Sequence, residues 1–200
     1  RRNLDVNVLL FNNRIYGLTK GQYSPTSEHG KVTKSTPFGS PDMPLNPMLF
    51  ALSSGATFVA RTYDIDPKGM QEIFKEAAEH KGTSFVEIFQ NCNIFNDGTF
   101  SPIYERPVRD DQILNLKHGE PLTFGKNKNK GIRLNGLKPE IVELENEFNK
   151  DDLLRHDQYS SESTLANLLS NFNYPEFPVP MGILRQIKKS TYGEIIENQI

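Results

Sequence analysis

Asparagine and glycine residues follow a short apolar run near the start of the chain, in the segment Leu10-Phe11-Asn12-Asn13-Arg14-Ile15-Tyr16-Gly17-Leu18-Thr19-Lys20-Gly21-Gln22. The Asn12-Asn13 pair offers neutral side-chain oxygens, and a turn of the next two residues lets a backbone carbonyl face the same point. Such oxygens suit Mg²⁺, a hard cation that takes octahedral oxygen ligands, several of them from phosphate. An ordinary turn also uses asparagine pairs, so this pair alone leaves both interpretations open.

Two glycines in the same segment, Gly17 and Gly21, have a spacing that lets the backbone approach a diphosphate, because glycine carries no side chain. Thr19 and Gln22 add uncharged hydrogen-bonding groups. A second residue with chemistry of its own is Cys92, the single cysteine. One cysteine excludes an internal disulfide, so Cys92 is either a small buried hydrophobic residue or a ligand.

Short apolar runs and one amphipathic period predict the elements that must position these residues. We expect strands over residues 6–11, 57–61 and 84–89, the first of them buried on both faces, and helices over 48–54 and from Asp66-Pro67 to about residue 81. The second helix should bury Met70, Ile73, Phe74 and Ala77. This alternation predicts an α/β fold, a mainly parallel sheet flanked by helices, whose ligands collect at the carboxyl ends of the strands. Those ends are residues 12–13 and 90–92.

The pattern changes after about residue 101, and we predict two regions. Residues 1–104 form the C-terminal part of a cofactor-binding domain, and residues 105–200 form a C-terminal extension packed on that core. A hairpin is expected over residues 119–135, with lysines at its tip. The chain starts almost directly with a strand, and we expect it to be a fragment of a longer protein.

Composition narrows the classes of partner. The chain of 200 residues has 36% apolar and 24% charged residues and a net charge of −2. This is a globular composition that gives no electrostatic reason to bind nucleic acid or an anionic membrane. No apolar stretch approaches the roughly 20 residues of a membrane helix, and no secretory segment is present, so we expect a cytoplasmic location.

The segment Asn-Asn-Arg-Ile-Tyr-Gly-Leu-Thr-Lys-Gly-Gln-Tyr-Ser-Pro-Thr-Ser, which starts at Asn12, resembles the distal half of the thiamine-diphosphate motif of 2-oxoacid:ferredoxin oxidoreductase β subunits. The similarity extends to about residue 104 and more loosely beyond. It implies a thiamine-diphosphate-binding fold, with Asn13 as side-chain Mg²⁺ ligand and Ile15 as backbone-carbonyl ligand. Residues lining the cofactor would be Gly17, Leu18, Thr19 and Gln22. The segment as a whole therefore favours the cofactor site over the ordinary turn.

The resemblance also assigns a role to Cys92, because Asn91-Cys92-Asn93 is similar to the segment that supplies the fourth ligand of a [4Fe–4S] cluster in this family. The other three cysteines, and the Gly-Asp-Gly half of the motif with its Mg²⁺-binding aspartate, would precede residue 1. Lys20 resembles the lysine that pairs with the distal carboxylate of 2-oxoglutarate. No residue of this chain is predicted to be catalytic.

The implied activity is oxidative decarboxylation of a 2-oxoacid, expected to be 2-oxoglutarate, to an acyl-CoA, with electrons passing through the cluster to ferredoxin. The partners would be the α subunit, ferredoxin, the 2-oxoacid and coenzyme A. Two alternatives stay open. One is another thiamine-diphosphate-dependent decarboxylase or synthase, and the other is a non-catalytic interaction domain of the same fold.

Overall fold

The computed structural model describes residues 2–144 and 148–199, and its elements alternate as the sequence predicts over the first region. In chain order they are β1 (Val6–Asn12), α1 (Pro47–Ser53), β2 (Phe58–Tyr63), α2 (Pro67–Glu79), β3 (Thr83–Phe89), α3 (Ser101–Tyr104), α4 (Arg109–Gln112), β4 (Ile113–Asn115), β5 (Thr123–Phe124), β6 (Lys130–Asn135), β7 (Lys138–Glu143), a 3-10 turn (Lys150–Asp152), α5 (Thr164–Ser170), β8 (Val179–Gln186) and α6 (Tyr192–Glu197). Within residues 2–144 and 148–199, no helix is both long and apolar enough to cross a membrane.

Five strands form the central sheet, in the order β1-β3-β2-β8-β4. β1 pairs with β3 and β3 with β2 in parallel, β8 runs antiparallel to β2, and β4 is parallel to β8. The predicted α/β fold with a mainly parallel sheet is confirmed. Because β1, β2 and β3 all run the same way, their carboxyl ends meet at one edge.

Both predicted helices begin at residues whose side chains cap the backbone. The Asn46 side chain accepts a hydrogen bond from the Leu49 backbone N–H (3.1 Å) at the start of α1, and Asp66 accepts one from that of Gly69 (3.1 Å) at the start of α2. A proline follows each cap, where its missing N–H costs nothing. These local features fix where the helices start.

The two faces of the sheet are covered by different elements. On one face, α2 buries Ile73 and Ala77, with Met70 and Phe74 partly buried, so the predicted apolar face is confirmed. The larger core lies on the other face, where α1 and α5 pack on residues of β2, β4, β6 and β8. Each fully buried Leu, Ile, Val or Phe there contributes about 1.5–3 kcal/mol, so these two layers hold the sheet rigid beneath its carboxyl edge.

The prediction that the first strand is buried on both faces is wrong. β1 lies at the edge of the sheet and pairs only with β3 within the described residues. Val8 is 44%, Leu9 42% and Phe11 53% exposed, and only Asn12, at the carboxyl end, is fully buried. The apolar sequence of the strand favours burial, but it does not indicate which segments of the protein cover the strand.

The second region contributes to the central sheet as well as packing on it. β4 and β8 lie between residues 105 and 200 and belong to the same five-stranded sheet as β1. β5, β6 and β7 form a separate antiparallel sheet, in which β5 and β6 make the predicted hairpin. The lysine-rich tip is tied back to α4 by Lys130, whose Nζ lies 2.8 Å from Asp111 Oδ1. The division at residue 104 stays a prediction.

Candidate functional site

The chain turns sharply at the carboxyl end of β1, and Asn12 is the residue that holds this turn. The residue is 5% exposed, and both polar atoms of its side chain are hydrogen-bonded. Asn12 Nδ2 donates to Glu87 Oε1 (2.8 Å), and Asn12 Oδ1 accepts from Thr26 Oγ1 (2.7 Å) and from the Arg14 backbone N–H (3.1 Å). Asn12 therefore links β3, the loop around Thr26 and the backbone of the next two residues.

The predicted metal ligands Asn13 and Ile15 line one cavity of about 380 Å³ beside β1. Asn13 Oδ1 accepts the Ile15 backbone N–H (3.3 Å), which forms a local turn. Between them, Arg14 adopts φ +54°, a left-handed backbone conformation that residues other than glycine rarely take. The structure thus places the two residues that the sequence predicted as ligands on the same cavity.

The donor chemistry at this point fits Mg²⁺. Within residues 2–144 and 148–199, no group of three or more His, Cys, Asp or Glu side chains is arranged to hold a metal ion. Mg²⁺ does not need such a cage, because it keeps waters and takes oxygens from substrate phosphates. A neutral amide oxygen and a backbone carbonyl match that sparse protein contribution.

Residues 16–22 form a closed loop that adjoins this cavity through Tyr16, while the other residues of the loop do not line it. The Tyr16 backbone N–H donates to the Gln22 carbonyl oxygen (2.8 Å), and the N–H groups of Lys20 and Gly21 donate to the carbonyl oxygens of Gly17 and Tyr16 (both 3.0 Å). The four residues predicted to line the cofactor therefore lie in one hydrogen-bonded loop, and Lys20 lies in the same loop. The four are Gly17, Leu18, Thr19 and Gln22.

The tip of this loop faces solvent in the described chain. Leu18 is 99% exposed, and Thr19 and Lys20 are also exposed. Lys20 adopts φ +63°, again left-handed. Such a conformation costs about 1–2 kcal/mol in a residue with a side chain, so the backbone of Lys20 is strained at the loop tip.

Cys92 lies in a second turn that contacts the first. Asn96 donates its backbone N–H to the Cys92 carbonyl oxygen (2.9 Å), and its side-chain Nδ2 donates to the Asn13 carbonyl oxygen (2.9 Å). The Phe95 ring of the same turn packs on the 16–22 loop, so that a Cβ added to Gly21 would lie 3.3 Å from Phe95 Cδ1. Cys92 is half-buried. Asn96 therefore connects the turn of Cys92 to the backbone of Asn13.

Sequence reasoning missed a buried ion pair directly beneath this site. Glu87 and Arg61 lie in the middle of β3 and β2, their side chains are 2% and 3% exposed, and Arg61 Nε is 2.8 Å from Glu87 Oε2. The Arg61 Nη1 atom is buried without a hydrogen-bond partner in the described part of the chain. Charged residues inside otherwise apolar strands were the available indication, because Glu and Arg are almost never fully buried unless paired.

Arg14 turns its side chain away from the cavity and into the protein. Its guanidinium carbon lies 4.7 Å from the centre of the Phe100 ring and 5.9 Å from that of Phe89. Burial lowers the pKa of the Arg14 guanidinium, while the carboxylates of Glu28 and Glu87 oppose that shift. The Phe89 and Phe100 rings stack on each other, with centres 4.2 Å apart, and the Arg14 cation lies beside this pair, where it anchors the turn.

Comparison with known proteins gives matches to one group of enzymes. Residues 1–88 match the family model described as thiamine pyrophosphate enzyme, C-terminal TPP binding domain. The whole chain is 43% identical to 2-oxoglutarate oxidoreductase subunit KorB of Mycobacterium tuberculosis and covers 53% of that protein. Over 108 residues, 54% of this chain and 35% of the relative, it is 45% identical to 2-oxoacid:ferredoxin oxidoreductase subunit beta of Saccharolobus solfataricus.

A solved structure from the same group of enzymes also resembles the chain. The whole chain superimposes on 53% of a chain of 2-oxoglutarate:ferredoxin oxidoreductase from Magnetococcus marinus, solved with 2-oxoglutarate, coenzyme A and succinyl-CoA bound, with a TM-score of 0.70 and 29% identity. The chain therefore spans about half the length of these two whole-chain matches.

Proposed function

Because the chain belongs to the β-subunit family of the 2-oxoacid:ferredoxin oxidoreductases, we propose that it holds thiamine diphosphate in such an enzyme. Together with an α subunit, it would oxidatively decarboxylate 2-oxoglutarate to an acyl-CoA and pass the electrons through an iron–sulfur cluster to ferredoxin. One observation carries the proposal: Asn13 and Ile15 line a single cavity next to a closed glycine-containing loop and the turn of Cys92.

The cofactor would be held by the first of these elements. Asn13 Oδ1 and the Ile15 carbonyl oxygen would bind Mg²⁺, and Mg²⁺ would bind the diphosphate. Gly17, Leu18, Thr19 and Gln22 would line the cofactor. When bound, thiamine diphosphate supplies the electron sink that decarboxylation of a 2-oxoacid requires. The part played by this chain is placement, because the rigid sheet beneath the turn fixes where the cofactor sits.

Cys92 would be one ligand of a [4Fe–4S] cluster. Support comes from its place in a turn hydrogen-bonded to the Asn13 carbonyl oxygen, which would keep the cluster close to the cofactor. Four thiolates hold such a cluster, and this chain has a single cysteine. The other ligands would have to come from outside these 200 residues.

Lys20 would select the substrate. It lies at the exposed tip of the 16–22 loop, which would line the cofactor. A dicarboxylic 2-oxoacid has a distal carboxylate that the Lys20 ammonium can bind, whereas pyruvate has none. The names of the Mycobacterium tuberculosis and Magnetococcus marinus proteins both specify 2-oxoglutarate.

The test of this proposal is the affinity for thiamine diphosphate in the presence of Mg²⁺. In the assembled full-length enzyme, Asn13→Ala removes one oxygen ligand, and we expect the dissociation constant to rise by at least about 10- to 100-fold, since changes even to groups behind metal ligands have effects of that size. Calorimetric titration measures it. Asn13→Asp keeps an oxygen donor and should bind the cofactor far better than Asn13→Ala.

The matched control is Asn127→Ala, which removes an exposed asparagine at the tip of the β5–β6 hairpin. It should leave cofactor affinity unchanged. Equal affinity of wild type and Asn13→Ala would remove Asn13 from the metal site. No Mg²⁺-dependent cofactor binding by the wild type would favour a non-catalytic interaction domain, and cofactor binding by a protein free of iron would favour a thiamine-diphosphate-dependent decarboxylase or synthase.

A further inference from the structure

The buried carboxylate of Glu87 lies one hydrogen bond away from the turn that carries Asn13 and Ile15. We propose that Glu87 is a positioning residue: it fixes which way the Asn12 amide faces, and through Asn12 it fixes the backbone that presents the two Mg²⁺ ligands. This inference rests on the proposed function, since it concerns how the chain prepares that same site.

The orientation of the Asn12 amide follows from hydrogen-bond chemistry. A carboxylate can only accept hydrogen bonds, so the side-chain group that contacts Glu87 Oε1 at 2.8 Å must be the NH₂ of Asn12. The Asn12 carbonyl oxygen then necessarily faces the opposite way, towards the Thr26 hydroxyl (2.7 Å) and the Arg14 backbone N–H (3.1 Å). Both of these donors need an acceptor there.

The second oxygen of Glu87 explains why this position is an acid. Oε2 accepts from Arg61 Nε at 2.8 Å, and both side chains are almost wholly buried. A buried guanidinium without a carboxylate would be strongly destabilising. Glu87 therefore has two separate tasks, one for each oxygen: neutralising Arg61 and orienting Asn12.

The Asn12 side-chain oxygen binds the backbone N–H of Arg14, the residue of this turn that has the strained backbone conformation. Arg14 has φ +54°, and its N–H is held by Asn12 Oδ1 while its carbonyl oxygen accepts from Ser27 Oγ (2.6 Å). The two peptide groups that flank Arg14 join it to Asn13 and Ile15, and the Ile15 N–H of the second one donates to Asn13 Oδ1 (3.3 Å). Fixing Arg14 by both its N–H and its carbonyl therefore fixes the backbone from which the Asn13 side chain and the Ile15 carbonyl project.

Glu87→Gln tests the orientation while changing very little volume. Glutamine offers one oxygen and one NH₂ group, and the oxygen is required by Arg61. The glutamine NH₂ then meets the Asn12 NH₂, donor against donor. The Asn12 amide relieves this contact by turning over, and the Arg14 N–H loses its acceptor. We expect the Mg²⁺ concentration that half-saturates cofactor binding to rise about 10-fold, as for the loss of one hydrogen bond worth roughly 1.4 kcal/mol.

The rescue is the double variant Glu87→Gln/Asn12→Asp. The glutamine NH₂ now donates to one carboxylate oxygen of the new aspartate, and the other oxygen accepts from Thr26 and from the Arg14 N–H. Total charge equals that of the wild type. Mg²⁺ affinity should return to within about threefold of wild type, well under the tenfold effect of one hydrogen bond. Asn12→Asp alone places the new carboxylate against that of Glu87, and this variant should bind Mg²⁺ more weakly than the wild type.

The measurements are Mg²⁺ titration at fixed thiamine diphosphate and thermal unfolding, both on the assembled full-length enzyme. Equal Mg²⁺ affinity of Glu87→Gln and wild type would overturn the inference, and so would a double variant as weak as the single one. Thr26→Val provides a second route that leaves the ion pair intact: it removes one partner of Asn12 Oδ1 and should also weaken Mg²⁺ binding. Unchanged Mg²⁺ affinity in Thr26→Val would likewise contradict the proposal. Wild-type enzyme that binds no cofactor would instead refute the proposed function itself.

Discussion

Removal of the Lys20 ammonium should change substrate choice more than cofactor binding. Lys20 forms no ion pair within the described residues, and it stands at the exposed tip of the 16–22 loop. A hydrogen bond to a charged group contributes roughly 1.5–3 kcal/mol. At about 1.4 kcal/mol for each factor of ten, Lys20→Ala should lower kcat/KM for 2-oxoglutarate relative to pyruvate by about 10- to 150-fold.

The backbone of Lys20 supplies a control for the alternative that the residue only shapes the loop. Because φ is +63°, Lys20→Gly relieves strain that Lys20→Ala retains. The two variants should lose the same discrimination if the ammonium is what matters, and Lys20→Arg should keep most of it. Lys34 is another exposed lysine, and Lys34→Ala should leave kcat/KM unchanged for both substrates.

The assay is steady-state kinetics of the assembled enzyme with each 2-oxoacid, with reduction of ferredoxin as the readout. An equal fall of kcat/KM for both substrates in Lys20→Ala would refute the reasoning, because a residue that serves the cofactor or the loop affects every substrate alike. Full discrimination in Lys20→Gly would also contradict the reasoning, because that variant lacks the ammonium as Lys20→Ala does.

Two further changes test other parts of the structure. Cys92→Ala in the assembled enzyme should remove one iron–sulfur cluster, seen as lower iron content and weaker visible thiolate-to-iron absorption; a full complement of iron would leave Cys92 as a packing residue. His156 is 1% exposed, and its Nε2 contacts the Ile183 carbonyl oxygen at 2.8 Å. Burial lowers the pKa of His156, so the unfolded chain takes up its proton first, and stability present above pH about 6.5 falls as the pH drops below that value. His156→Gln should flatten that decline in thermal unfolding, whereas exposed His29→Gln should not.

The helices and the parallel order of the first three strands could be predicted because their determinants are local. Asp66 and Pro67 start α2, and an apolar residue every three or four positions gives its buried face. The edge position of β1 and the entry of β8 into the sheet could not be predicted, since both depend on pairing between segments distant in the chain. β8 lies beside β2 although about 120 residues separate their sequences.

The candidate site shows the same division between local and distant information. The turn after β1 could be predicted because asparagine, glycine and the loop residues are adjacent in sequence. The support beneath it could not, since Glu87 reaches Asn12 across 75 positions and Arg61 reaches Glu87 across 26. A charged residue in an apolar strand indicates that a partner exists, but the sequence does not say which residue that partner is.

The two glycines of the 16–22 loop differ in the structural reason for their lack of a side chain. Gly21 has φ +99°, and an added Cβ would lie 3.3 Å from the Phe95 ring, so its lack of a side chain is explained by the turn and by packing within the protein. Gly17 has neither constraint: its φ is not in the left-handed region, and an added Cβ would meet Phe95 only at 3.9 Å, an ordinary contact. The spacing that suggested a diphosphate site thus combines two different requirements. Gly17 is the position where internal packing leaves room for a side chain, and it is therefore the glycine whose small size is best explained by a ligand approaching the backbone.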